Sequence, residues 1–95
     1  MEHTYLVCYD ISDQKRWRRI FKTMKGYGEW MQLSVFQCRL SRVNLLRMTE
    51  ALKDILNQSE DHLLIIDLGP AESVSIRVES YGKNFTPIQR QAVIV

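Results

Sequence analysis

The stretch HTYLVCYDI, residues 3–11, carries apolar side chains on both of its alternating faces. A β-branched and aromatic run of this kind predicts a central strand covered on both sides. The run ends on a single acid, Asp10, and a segment crowded with positive charge follows at once. Ser12 or Asp13 can cap a helix there that runs through residue 25. Its apolar positions, Trp17, Ile20, Phe21 and Met24, recur at i, i+3, i+4 and i+7. Lys15, Arg16, Arg18, Arg19, Lys22 and Lys25 fall on the outward side, and the GYG at 26–28 stops the helix and turns the chain.

Residues 29–40, EWMQLSVFQCRL, read as strand, with a bend or a division into two short strands expected near Ser34–Gln37. Ser41 can cap a second helix through about Asn57, with Leu45, Met48, Leu52, Ile55 and Leu56 as its apolar stripe. HLLIIDL at 62–68 predicts a second buried strand, broken by Gly69-Pro70. SVSIRVESY at 73–81 alternates strictly and predicts a half-exposed strand. The order strand, helix, strand or strand pair, helix, strand, strand implies an α+β sandwich of the ferredoxin-like βαββαβ type, with both helices on one sheet face because crossovers are right-handed. Residues 1–82 form this domain. Residues 83–95 are a tail whose AVIV ending, with Val93 and Ile94, predicts a strand at 92–95 that pairs with a sheet edge, its own or a partner's. Exchange between two copies would give a symmetric dimer.

The 95-residue length allows one domain. The longest apolar run falls far short of the roughly 18 residues a membrane span needs, and Glu2 and His3 lead into a strand rather than a signal peptide. Cys8 and Cys38 lie in apolar runs without C-x-x-C spacing, which suits free thiols in a reducing, cytoplasmic setting. Two distant Cys and two distant His do not make a zinc site. Net charge is only +2, but it is uneven. Residues 1–47 hold nine Lys/Arg against four Asp/Glu, and residues 48–95 hold four against seven. A local basic face therefore exists to attract phosphates.

Taken in order, YDI at 9–11, QLSVFQC at 32–38, LLIIDLG at 63–69 and the terminal VIV resemble the small CRISPR-associated endoribonuclease family. Its members are the smaller subunit of the spacer-acquisition complex and work with the CRISPR integrase. The resemblance implies a ferredoxin-like fold, a homodimer with C-terminal strands added across the interface, Mg²⁺-dependent cleavage of single-stranded RNA or duplex DNA, and a DNA-bridging role. Where the family's pattern often has an acid after S-V-F, this chain has Gln37.

Asp10 is the residue the resemblance carries over as catalytic and metal-binding. Mg²⁺ neutralises charge on phosphate oxygens and activates water, and it can be held by as few as one or two carboxylates. One chain offers one such acid, so two Asp10 side chains at a dimer axis would share one ion. The structural alternative is that Asp10 complements the helix start. Lys15, Arg16, Arg18, Arg19 and Lys22 suit phosphate contacts, with Arg39 and Arg42 extending the track, or they form an ordinary solvated face. Tyr9 should point to the sheet face opposite Asp10, as core or as an orienting hydroxyl. Ser34 lacks an adjacent His and is no nucleophile; Phe36 reads as core or interface. His3 and His62 show no partner constellation. Three alternatives stand beside the nuclease: a non-catalytic DNA-bridging adaptor, a ribonuclease toxin of the VapD type, and an RNA-recognition module, the last disfavoured because LLIIDLG lacks base-stacking aromatics.

Overall fold

A computed structural model describes residues 1–82. The tail from residue 83, with the strand expected at 92–95, lies outside the described residues. The elements are β1 (His3–Asp10), α1 (Gln14–Lys25), β2 (Gly28–Gln32), β3 (Val35–Leu40), α2 (Arg42–Ile55) and β4 (His62–Pro70). The strands form one antiparallel sheet in the order β2-β3-β1-β4. Each helix connects two parallel strands that have one antiparallel strand between them, and both crossovers lay their helix on the same face. This is the ferredoxin-like α+β arrangement that the periodicities predict.

The core sits between the helices and that face. Tyr5, Val7 and Tyr9 of β1 and Phe36, Cys38 and Leu40 of β3 meet Ile20 and Met24 of α1 and Met48 and Leu52 of α2. Strand alternation puts the first six on one side of the sheet, and helical spacing puts the last four on the facing stripes. The caps behave as their residue types require. The Asp13 carboxylate accepts from the Arg16 backbone N–H at 2.9 Å, and the Ser41 hydroxyl accepts from that of Asn44 at 3.2 Å.

Four details refine or correct the expectation. The break in residues 29–40 falls at Leu33 and Ser34, where Leu33 takes a positive φ of 39°. Only Gly26 caps α1; Gly28 opens β2 opposite Cys38. A Cβ on Gly28 would lie 2.6 Å from the Gln37 carbonyl oxygen and closer still to the Cys38 Sγ. Gly28 is therefore a packing requirement. Gly28→Ala is expected to cost about 2 kcal/mol, a fall of roughly 10 °C in Tm, which thermal unfolding would read.

The third difference is β4, which is an edge strand rather than a buried one. Leu63 and Ile65 face the core, while Leu64 and Ile66 face away and stay 46% and 38% exposed. Cover on the second face of β1 is likewise partial, leaving Leu6 and Cys8 half-buried. The fourth is residues 73–81, which form no strand. Alternation reports a half-buried surface, but a strand also needs an edge to bond. This segment instead turns after Pro70, with the Ser73 N–H donating to the Pro70 carbonyl at 3.0 Å. It then crosses the helix-free face, where Ile76 and Val78 line a groove with Leu6, Met31 and Val35.

Candidate carboxylate site and nucleic-acid interface

Asp10 is the last residue of β1. Tyr5, Val7 and Tyr9 point into the helix layer, so the alternation sends Leu6, Cys8 and Asp10 to the helix-free face. The Asp10 side chain is exposed and makes no hydrogen bond or ion pair with any described residue. It does not cap α1; Asp13 does. Its neighbour across the sheet is His62, the first residue of β4, directly opposite in the antiparallel register. Along the same face β4 presents Leu64 and Ile66, so the carboxylate stands at one end of an exposed apolar strip.

The loop that follows Asp10 is held by Asp61. The Asp61 side chain is fully enclosed. Its carboxylate accepts from Arg16 Nε at 2.8 Å, Arg16 Nη2 at 3.1 Å, the Ser12 backbone N–H at 3.1 Å and the Asn57 backbone N–H at 2.9 Å. Glu60 adds a contact to Arg16 Nη2 at 2.9 Å. The Arg16 guanidinium holds the Asp61 carboxyl far below the usual carboxylate range, and Asp61 raises the Arg16 pKa in turn. Arg16, grouped with the phosphate ligands by sequence, is thus committed to two carboxylates of its own chain. It ties the start of α1 to the loop between α2 and β4.

The other cations of α1 are engaged by no acid among the described residues. Lys15, Arg18, Arg19 and Lys22 are exposed, and 100° steps bring them into one stripe opposite Ile20 and Met24. Lys25 continues the stripe, its ammonium 5.7 Å from the centroid of the Phe21 ring. Arg39 bonds Glu2 at 2.8 Å, and Arg42 is exposed at the start of α2. The stripe lies on the outer surface of the helix layer, whereas Asp10 leaves the opposite side of the sheet. Nearness in sequence between the acid and the basic run is therefore not nearness of their working faces.

Tyr9 and Ser34 form the floor beneath Asp10 on the core side. The Ser34 carbonyl accepts the Tyr9 backbone N–H at 3.1 Å, and its hydroxyl accepts Trp17 Nε1–H at 2.9 Å. The Tyr9 hydroxyl is buried without a hydrogen-bond partner of normal geometry. Burial raises its pKa, and the nearby Ser34 hydroxyl offsets this in part. Burial likewise pushes the Cys38 thiol up to about 12, so it stays protonated. Phe36 is wholly buried and touches Tyr9 and Phe21 through ring contacts; it is core. No group of three or more His, Cys, Asp or Glu able to hold a metal occurs among the described residues, and no helix among them is long and apolar enough to cross a membrane.

Comparison with known proteins places this geometry. The family model described as CRISPR associated protein Cas2 matches residues 3–75. The chain belongs to the Cas2 family. It is 62% identical to the CRISPR-associated endoribonuclease Cas2 of Geobacter sulfurreducens over 95 residues, covering all of both chains. It is 55% identical to the CRISPR-associated endoribonuclease Cas2 1 of Rhodospirillum rubrum over 94 residues, covering 99% of this chain and 92% of that one. Among solved structures, a hypothetical protein from Thermus thermophilus superposes with a TM-score of 0.74 at 32% identity, covering 92% of this chain and 99% of the other.

The Cas2 match runs from the start of β1 past the end of β4. It therefore contains Asp10, the Ser34 floor and the Arg16–Asp61 latch. Reasoning from sequence alone missed two residues of this site. Asp61 carried no signal except a charge in a polar loop. His62 looked solitary because its partner lies 52 positions away and only the strand register brings the two together.

Proposed function

We propose that this chain works in CRISPR adaptation as a homodimer that binds duplex DNA with the CRISPR integrase. In this reading it also hydrolyses phosphodiester bonds, in single-stranded RNA or duplex DNA, at a Mg²⁺ site made by Asp10 of both copies. The carrying observation is the state of Asp10: an exposed carboxylate at the end of the central strand, bonded to no described residue, on a sheet face whose Leu64 and Ile66 are open. Two such faces packed about a two-fold axis would bury the apolar strip and draw the two carboxylates together. The donor chemistry fits the ion, because Mg²⁺ takes oxygen ligands and keeps several waters. When bound, it supplies charge neutralisation and a more acidic water. Asp10 anchors it, Tyr9 and Ser34 fix the strand end that carries Asp10, and the dry apolar strip limits solvent around the pair. The names of the relatives, endoribonucleases of the Cas2 family, support the same chemistry. A cytoplasmic location follows from the free thiols and the nucleic-acid substrate.

A second reading is a non-catalytic bridging adaptor. It is favoured by the single acid per chain and by a cation stripe on the far side of the sheet from it. The test is cleavage of labelled single-stranded RNA and duplex DNA by the full chain in Mg²⁺ and in excess chelator. The nuclease reading expects cutting in Mg²⁺ that stops in chelator. Duplex binding without cutting in either condition would leave the adaptor.

A further inference from the structure

We propose that His62 is a second catalytic residue beside Asp10, the proton donor to the leaving oxygen. This rests on the nuclease reading above. Asp10 and His62 are direct cross-strand partners, which places their Cβ atoms about 5 Å apart with both side chains on the helix-free face. His62 is exposed and, like Asp10, bonded to no described residue. His3 shows the contrast: its ring is engaged by Asp67 at 2.9 Å.

The pair is also built from both sides. Asp61 immediately precedes His62 and, through the Ser12 N–H and Arg16, holds the loop that leaves Asp10. One enclosed carboxylate therefore sets the spacing between the two strand ends. Among groups near His62, Glu60 and Asp61 are turned to Arg16, and Cys8 is a half-buried free thiol. The acid in cross-strand register with His62 is Asp10, from β1. The cation stripe of α1 lies across the sheet. Among the described residues, His62 is thus the proton-transfer group in register with Asp10, while Glu79 and Tyr81, bonded to each other, line the groove beside Leu6 and Val35.

The step balances without a co-reactant. A water oxygen bonds to phosphorus as the ester P–O bond breaks. The electron pair of that bond passes to the departing sugar oxygen, which takes the proton of the His62 imidazolium and leaves as an alcohol. The attacking water loses a proton to solvent, and solvent returns one to the imidazole. An imidazole ligand to Mg²⁺ is the less suited role, given that ion's preference for oxygen.

The experiment is single-turnover cleavage of a labelled oligonucleotide in Mg²⁺ by native protein, His62→Ala and His62→Gln. It uses an ordinary substrate and ones with sulfur replacing the 3′ or the 5′ bridging oxygen at the cut site. A thiolate departs without protonation. The expected result is a loss of about 100-fold on the oxygen substrate for both variants, shrinking to less than about tenfold on one sulfur substrate, with Tm unchanged. Equal losses on oxygen and sulfur, a loss repaired by raising Mg²⁺, or no loss would overturn the role of His62 while leaving an active nuclease. A native protein that cuts nothing would sink the nuclease reading itself, and this role with it.

Discussion

Asp10→Asn is expected to abolish Mg²⁺-dependent cleavage while leaving the fold untouched. The substitution keeps size and removes charge. Metal-assisted stabilisation of a phosphoryl transition state is worth several kcal/mol, so the loss should be on the order of a thousandfold. Because the side chain is exposed and bonded to no described residue, Tm should move by no more than about 1–2 °C. A second sign comes from the proposed dimer. Two carboxylates facing one another without an ion repel, so in chelator the variant should self-associate at least as tightly as the native chain. Rate assays paired with sedimentation in Mg²⁺ and in chelator would check both. A variant that still cuts would remove Asp10 from the chemistry.

Asp61→Ala should give the opposite profile, a large loss of stability whatever the metal. The alanine leaves the Arg16 Nε–H and the Ser12 and Asn57 N–H groups without their acceptor, with Glu60 still holding Arg16 Nη2. Breaking one side of an enclosed, multiply bonded pair is among the costlier single changes, and the fall in Tm should be on the order of 10 °C or more. The pH dependence has a definite sign. The Asp61 pKa is depressed in the folded chain, mainly by Arg16. Its contribution is therefore complete above the ordinary carboxylate value of 3.8 and is lost progressively as pH falls below it. Asp67, depressed chiefly by its bond from His3, acts in the same direction. Between pH 5 and pH 2 the native Tm should fall more steeply than that of Asp61→Asn. Parallel curves would show that the latch contributes little.

Most of the fold was legible in the sequence because its signals are local. The stripe Trp17, Ile20, Phe21, Met24, the caps Asp13 and Ser41, and the apolar run before Asp10 each declare an element within a few residues. What failed to show depended on partners far along the chain. Gly28 looked like a helix stop, and its reason is Cys38 across a ladder. Leu64 and Ile66 read as buried because composition registers apolarity and cannot register that β4 is an edge. Residues 73–81 alternate as a strand would, but alternation supplies no edge to bond. The same limit governed the site. Asp10 was visible as an acid at a strand end, whereas Arg16 appeared as one cation among six until the enclosed Asp61 claimed it.

The opposition of the basic stripe and the Asp10 face has a consequence for how such a chain can change over time. In the proposed function, grip on a polyanion and bond breaking would be carried by two surfaces with a hydrophobic layer between them, so each would be free to drift without dragging the other. A lineage could discard the carboxylate and keep a competent clamp, or shed arginines and keep a slow hydrolase. Descendants of one ancestor could then specialise as scaffold or as cutter by a handful of surface substitutions, with the interior unaltered.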